Sequence, residues 1–248
     1  DMKDALYFGH AGNQGEAIAW GRELGAGMTD LGGFQGHGSV AHPHGILVSW
    51  ALMMEGGIQV NRDGRRFSNE HDGYSEQARR VIAQPGGVVW NIYDQRLHDF
   101  AQDFDDYRQA ETAGAVRQAA TIDELAEICD LPTDTLVENL RDTEALSAAG
   151  GQDKFGRTFA KDRLAPPYYA VKVTGALFHT QGGLNVDERA RVLKSDGTPF
   201  ANLFAGGGAA RGLSGPSDWG YLSGNGLLTA VTLGHIAGAQ AARLMKNE

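Results

Sequence analysis

A helix-like hydrophobic pattern dominates the end of the chain, between residues 202 and 244. It predicts a short apolar strand at residues 203–205, a glycine-rich turn, a polar loop and a long helix that begins near residues 224–226. We expect the buried side of this helix to carry five large apolar residues: Leu227, Leu228, Val231, Leu233 and Ile236.

The glycine-rich turns at the two ends of this polar loop are candidates for a ligand site. Glycine lets the backbone approach a flat or phosphorylated ligand closely. A helix N-terminus offers N–H groups and partial positive charge to an anion. One such turn can equally close a tight loop, but two of them around a polar loop favour a ligand.

Helical and strand-like patterns alternate along the rest of the chain and predict a mixed α/β fold. A glycine turn ending at Gly15 leads into a helix over residues 16–24, and a loop rich in histidine and glycine follows at residues 34–45. An Asp-Gly turn between strand-like runs predicts a hairpin over residues 57–70. The remaining predictions are helices at residues 75–84, 125–129 and 133–146, extended segments at residues 88–93, 168–173, 178–180 and 183–186, and low periodicity over residues 95–120.

Composition narrows the classes of function. The net charge of −9 argues against binding to nucleic acid or to an anionic membrane surface. No apolar run approaches the roughly 20 residues that a membrane-spanning helix needs. The one cysteine, Cys129, excludes an internal disulfide framework and favours a reducing compartment, so we expect a cytoplasmic protein. His37, His42 and His44 have no Cys, Asp or Glu nearby to complete a ligand set, so we predict no metal site.

Five segments resemble motifs of the flavoprotein family of fumarate reductase, succinate dehydrogenase and ketosteroid dehydrogenase. They follow the family's order at compatible spacing along nearly the whole chain: GNQGEAI, GGIQVNRDGRRFSNE, FHTQGGLNVD, NLFAGGG and SGNGLLTAVTLGHIAGAQAA. Each motif alone is modest, but five in the same order are specific. On these motifs the chain is identified as a member of this family.

The resemblance implies part of a Rossmann-type FAD-binding domain with an inserted α+β capping domain, and a substrate cleft that faces the isoalloxazine ring. We expect residues 1–35 and 177–248 in the FAD-binding domain and residues 36–176 in a mobile cap. The family's Gly-x-Gly-x-x-Gly βαβ unit does not occur in the sequence, which implies a C-terminal portion. We therefore expect this chain alone to hold FAD weakly and to need an N-terminal FAD-binding segment or chain as a partner.

Departures from the fumarate reductase pattern bear on the substrate. That pattern uses arginines to bind two carboxylates and to deliver a proton, but two matching positions here hold Tyr74 and Tyr221. Trp50 and Met53 stand at the glutamate and arginine of the family's proton path. A buried dicarboxylate facing these residues would lack counter-charge, so fumarate is disfavoured. The run GYLSG at residues 220–224 is similar to one branch of the ketosteroid dehydrogenases.

These matches imply dehydrogenation of a C–C bond next to a ketone in a hydrophobic, steroid-like substrate. Tyr221 O–H and the Gly224 N–H would polarise the ketone oxygen, and Tyr74 would accept the α-proton. A tyrosine needs a partner to lose its proton at pH 7, and His37 and His179 are the candidates. The implied substrate-binding residues are His37, Trp50, Met53, His179, Trp219 and Ser223. The implied FAD-binding residues are Gly15, Glu16, His179, Gly206, Gly207, Gly208, Ser223, Gly224, Asn225, Gly226 and Leu227.

Two other functions remain open at this point. One is an ene-reductase of the fumarate reductase type that acts on a small unsaturated acid or enone. The other is a non-catalytic fragment or subunit that pairs with a FAD-binding chain. Either tyrosine could also be a packed aromatic residue without a catalytic role.

Overall fold

The computed structural model of the protein describes residues 2–159, 163–217 and 219–246 and mixes helix with sheet, which confirms the predicted α/β class. The strands are β1 (Leu6–Tyr7), β2 (Met28–Thr29), β3 (Phe34–Ala41), β4 (Ile46–Leu47), β5 (Ile58–Val60), β6 (Val88–Asp94), β7 (Val116–Ala119), β8 (Tyr168–Thr180), β9 (Gly183–Leu184), β10 (Arg191–Leu193) and β11 (Pro199–Phe204). The α-helices are α1 (Glu16–Glu23), α2 (Ala51–Met54), α3 (Tyr74–Ile82), α4 (Gln95–Ala101), α5 (Asp105–Thr112), α6 (Ile122–Cys129), α7 (Thr133–Ala149) and α8 (Asn225–Lys246).

The chain divides into two compact units. The first unit comprises Asp1–Tyr7 and Gly36–Leu177, and the second comprises Phe8–Gln35 and Phe178–Glu248. The first seven residues thus differ from the expected boundary, which placed them with residues 8–35. They belong to the first unit because β1 pairs in parallel with β8, with Leu6 opposite Ala176.

The first unit is built on a sheet with two buried faces. Its strand order is β4-β3-β8-β6-β5, and β1 and β7 also pair with β8. Because side chains alternate along a strand, Val89 and Tyr93 of β6 enter one core while Trp90 and Ile92 enter the other. Helices α3, α4 and α5 contribute to the first core through Val81, Leu97, Ala101, Tyr107 and Ala110. Helices α6 and α7 contribute to the second core through Leu125, Ala126, Cys129, Leu136 and Leu140.

The histidine- and glycine-rich segment at residues 34–45 is largely a strand, so the predicted loop was wrong. Its glycines are explained by packing. A Cβ atom at Gly36 would lie 2.6 Å from the Cβ of Ala78, and one at Gly38 would lie 2.8 Å from the Cβ of Gln77. Both neighbours belong to α3, so the glycines of β3 let this helix approach the sheet closely.

The hairpin predicted over residues 57–70 forms its turn but lacks its second strand. Asn61 N–H donates to the Arg65 carbonyl at 2.9 Å, which closes the turn. Strand β5 instead pairs with β6, with Ile58 opposite Ile92. The side chains of Arg66 and Glu70 are buried in ion pairs, so this segment is held by its side chains rather than by a ladder.

One segment of low periodicity forms regular elements, and one expected break between extended segments is absent. Residues 95–120 contain α4, α5 and β7, whose short lengths leave little periodicity to detect. The Asp94 carboxylate caps α4 by accepting from Leu97 N–H at 3.2 Å. Strand β8 continues from Tyr168 to Thr180 without the expected break.

A chain of hydrogen bonds lies inside the first unit, next to α4 and α5. The hydroxyl groups of Tyr93 and Tyr107 are 2.7 Å apart, and the Tyr107 hydroxyl lies 2.8 Å from His98 Nδ1. The His98 ring stacks on Tyr169 with 4.2 Å between centroids. Both Tyr93 and Tyr107 are fully buried, so water cannot replace a lost partner.

We predict that Tyr107→Phe lowers the free energy of unfolding by about 1–3 kcal/mol, because the buried Tyr93 hydroxyl and His98 Nδ1 both lose a partner. Urea denaturation measures this change. Tyr169→Phe is the control, since its hydroxyl bonds Gln95 in a partly exposed place where water can substitute. Equal effects of the two substitutions would contradict the prediction.

The second unit holds two small antiparallel sheets, β2–β9 and β10–β11, around a small core, and the long helix α8. Helix α8 begins at Asn225, as predicted, but three of the five residues expected on its buried side are exposed. Of the other two, Leu233 is partly buried against the small core, and Ile236 is also partly buried. Leu227 is 79% and Val231 71% exposed, and Leu228 is also exposed. The helix contacts β11 and the 3-10 turn Gly207–Ala209, and no other described element covers the side with Leu227. Hydrophobic spacing identifies an apolar side but not what covers it.

No described helix combines the length and hydrophobicity that a membrane span requires.

Candidate functional site

The start of α8 in the second unit is tied to the polar loop that precedes it. The Asn225 amide group donates to Ser214 Oγ at 2.6 Å and to the Leu222 carbonyl at 2.9 Å. Leu222 N–H also donates to Ser214 Oγ. Gly224, directly before the helix, has a φ of +80°, which glycine adopts without strain. This loop therefore presents Tyr221 next to a helix N-terminus.

A small cavity at this helix start brings together five of the predicted site residues: His179, Gly207, Gly208, Asn225 and Gly226. Gln181, which the sequence did not single out, lines it as well. Gln181 is 4% and Asn225 1% exposed, and the side-chain oxygen of each has no hydrogen-bond partner among the described residues. Since the Leu222 carbonyl can only accept, the Asn225 amide nitrogen must face it, and the amide oxygen is the atom left unpaired. Two residues that line the cavity thus each carry a buried acceptor without a partner, which is uncommon in folded proteins.

Tyr221 lies beside His179 and Gln35. Its hydroxyl donates to Gln35 Oε1 at 3.0 Å, and its ring meets the His179 ring edge-on, with 6.0 Å between centroids. His179 Nδ1 lies 3.0 Å from the Gln181 amide nitrogen. A Cβ atom at Gly226 would lie 3.2 Å from the His179 ring, so glycine permits the close approach of helix and histidine.

The other predicted residues of the second unit lie outside this cavity. Gly206 faces α8, because a Cβ there would lie 3.2 Å from the Gly234 nitrogen. Gly15 has a φ of +83° at the start of α1, and Glu16 accepts from Gln14 N–H at 3.2 Å. Three further residues are exposed: Trp219, Ser223 and Leu227. Their predicted roles stay predictions.

In the first unit, His37 lies between two other predicted residues. Its ring stacks on Tyr74 at 5.1 Å and meets Trp50 edge-on at 5.9 Å. Burial lowers the pKa of His37 to about 3, so the ring is neutral at pH 7. Ser39 N–H donates to Nδ1 at 3.1 Å, which places the ring proton on Nε2. A neutral His37 can donate a hydrogen bond but carries no charge for an anionic substrate.

Trp50 and Met53, predicted to bind substrate, are both buried in the first core. Trp50 Nε1 donates to the Glu70 carbonyl at 3.2 Å. The Met53 carbonyl accepts from His71 Nε2 and from Arg157. This burial favours a packing role for both side chains.

A buried ion-pair network near these residues was missed by the sequence analysis. The Glu70 carboxylate lies 2.6 Å from Arg66 and 2.8 Å from Arg157, and Arg66 also reaches Asp153 at 2.5 Å. Burial alone would raise the pKa of Glu70, but the hydrogen bonds and charges of the two arginines outweigh it and lower the pKa to about 2. The network connects distant parts of the chain within the first unit. The RRFSNE motif contains two of its members, but no local pattern indicates Arg157 or Asp153.

Comparison with known proteins decides the family. Residues 3–227 match the family model described as FAD binding domain. The chain belongs to this family. The match indicates FAD as the cofactor, as predicted.

The proteins similar to this chain include both a fumarate reductase and a ketosteroid dehydrogenase, the two branches named in the sequence analysis. The chain is 31% identical over 243 residues to the probable fumarate reductase Ifc3 of Shewanella frigidimarina, covering 98% of this chain and 40% of that protein. It is 28% identical over 214 residues to the 3-oxosteroid 1-dehydrogenase of Mycobacterium tuberculosis, covering 73% of this chain and 38% of that protein. The chain therefore spans about two fifths of the length of these relatives.

A solved structure agrees with the family. The open conformation of a flavocytochrome c3 fumarate reductase superposes with a TM-score of 0.76 at 30% identity, over 98% of this chain and 42% of that one. The predicted membership in the flavoprotein family of fumarate reductases and ketosteroid dehydrogenases is thereby confirmed.

Proposed function

We propose that the protein dehydrogenates, or in the reverse direction reduces, a C–C bond next to a ketone in a hydrophobic, steroid-like substrate. The observation that carries this proposal is Tyr221, a neutral hydrogen-bond donor presented beside the N-terminus of α8. FAD, when bound, supplies the two-electron acceptor for this chemistry.

The residues at the start of α8 fit the edge of this cofactor. The two unpaired acceptors, Gln181 Oε1 and Asn225 Oδ1, suit the N–H groups of a flat heterocycle. The glycine backbone at Gly208 is open, since a Cβ there would meet no atom within 4 Å. The N-terminus of α8 would stabilise negative charge on a bound cofactor. We propose that this cavity holds the cofactor's reactive end, with Gly207, Gly208 and Gly226 allowing its close approach.

The Tyr221 hydroxyl and the Gly224 N–H would act on the substrate. Two donors aimed at a ketone oxygen stabilise the enolate that forms when an α-proton leaves, and so lower the barrier to proton removal. The role of Tyr74 as acceptor of that proton stays a prediction from the resemblance. His37, neutral through burial, cannot supply positive charge to a carboxylate.

A fumarate reductase-like activity is the second candidate, because a probable fumarate reductase is 31% identical to this chain. The charges of the site disfavour it. No arginine lines the described cavity at the start of α8, and Arg211 is exposed and paired with Asp30 at 2.5 Å. A dicarboxylate would lose its hydration there without gaining a counter-charge.

We predict that the FAD-loaded full-length protein turns over a saturated 3-oxosteroid with an artificial electron acceptor. The kcat/KM for fumarate, measured with a reduced viologen donor, is expected to be at least about 100-fold lower, since a site built for a ketone leaves carboxylates unpaired. A higher kcat/KM for fumarate than for the steroid would contradict the proposal. Absence of activity on both would favour the non-catalytic alternative.

A further inference from the structure

The hydrogen bond between Tyr221 and Gln35 conflicts with the role proposed for Tyr221. A tyrosine hydroxyl has one proton, and in this structure that proton is directed to Gln35 Oε1 at 3.0 Å. A proton given to Gln35 cannot also be given to a ketone oxygen. The role of Gln35 inferred from this conflict rests on the proposed function and deepens it.

We propose that Gln35 is a positioning residue that turns Tyr221 into a donor toward the ketone. When a ketone is bound, a half turn of the Gln35 amide places Nε2 at the Tyr221 oxygen. Gln35 then donates to Tyr221, and Tyr221 donates to the ketone. Hydrogen bonds in such a chain polarise one another, so the bond that Gln35 donates to Tyr221 strengthens the bond that Tyr221 donates to the ketone.

The surroundings of Gln35 permit this rotation. Among the described residues, Tyr221 is the hydrogen-bond partner of its amide oxygen, and the amide nitrogen has none. A half turn therefore gives up no other hydrogen bond. The two ends of an amide are nearly equal in size, so the exchange needs no change in packing. Strand β3 holds the Gln35 backbone, and its neighbour Phe34 is buried, which keeps the amide at Tyr221 in both orientations.

To serve Tyr221 in this way, a side chain at position 35 must donate a hydrogen bond to the Tyr221 oxygen, and an amide has a donor as well as an acceptor. A carboxylate at position 35 would accept the tyrosine proton and could not donate in return. A protonated carboxyl group has both functions, and so replaces the amide. Gln35→Glu therefore makes activity depend on the protonation of residue 35, whereas Gln35→Met removes both functions at every pH.

The test measures kcat and KM against pH for the FAD-loaded full-length protein, with a saturated 3-oxosteroid as substrate. For Gln35→Glu we expect kcat at neutral pH to fall about 10²–10³-fold, as for a lost oxyanion-hole donor, and to recover as the pH is lowered. Gln35→Met should lower kcat without this recovery. In the double variant Tyr221→Phe with Gln35→Glu, the recovery should vanish, because there is no tyrosine hydroxyl at position 221 to donate its proton to the ketone.

Each outcome separates this inference from the proposed function. An active wild-type protein whose Gln35→Glu variant keeps the wild-type pH profile overturns the role of Gln35 alone. Recovery at low pH that persists without the Tyr221 hydroxyl also overturns it. A wild-type protein that does not turn over the steroid overturns the proposed function, and this inference with it.

Discussion

Tyr221→Phe is expected to lower kcat on a 3-oxosteroid by about 10²–10³-fold, the usual cost of removing one oxyanion-hole donor. The substitution deletes the hydroxyl that donates to Gln35 and keeps the ring beside His179. The melting temperature should therefore change little. Steady-state kinetics of the FAD-loaded full-length protein measure the effect, together with thermal denaturation of both proteins.

A matched control is available in the first unit. Tyr169 also donates its hydroxyl to a glutamine, Gln95, at 2.7 Å, but lies outside the predicted site. Tyr169→Phe should leave kcat near the wild-type value. Near-wild-type turnover of the Tyr221→Phe protein would show that Tyr221 is a packed aromatic residue and not a donor to the ketone.

Glu70→Gln is expected to lower the free energy of unfolding by about 3–5 kcal/mol, because it leaves the buried charges of Arg66 and Arg157 without their shared carboxylate. The pKa of Glu70 is lowered to about 2 in the folded protein. Its stabilising effect is therefore fully present above the ordinary carboxyl pKa and is lost as the pH falls towards 2. Urea denaturation over this pH range should show a shallower pH dependence for Glu70→Gln than for the wild type.

An exposed ion pair provides the comparison. Glu144 and Arg163 lie 2.5 Å apart with both side chains about half exposed. Glu144→Gln should change the free energy of unfolding by no more than about 1 kcal/mol, because solvent screens the pair. Equal destabilisation by the two substitutions would contradict the account of a buried network.

The sequence predicted the elements whose signals are local. The glycines around residue 225 and the helical spacing after them predicted where α8 begins, and Thr121 predicted α6 through its cap to Glu124 N–H. Strand β3 was mistaken for a loop because Gly36 and Gly38 serve close packing against α3, and the same residues in sequence indicate a turn. Leu227, Leu228 and Val231 of α8 were expected to be buried but are exposed, because periodicity does not show what covers a helix.

The candidate site was predicted as far as family motifs reach. His179, Asn225 and Gly226 were identified through motif matches, and the structure brings them together at one cavity. Gln35 and Gln181 were missed because a neutral amide gives no charge or spacing signal. Their importance follows only from distances in the folded chain, between residues far apart in sequence. The pairing of Glu70 with Arg157 was missed for the same reason.

The most direct test of the proposed chemistry is anaerobic mixing of the FAD-loaded full-length protein with a saturated 3-oxosteroid, followed by the visible absorbance of oxidised flavin. We predict that the absorbance is lost and that an equivalent amount of the unsaturated ketone forms, while succinate leaves the absorbance unchanged. Loss of the absorbance with succinate, and none with the steroid, would contradict the proposal that this protein acts on a ketone.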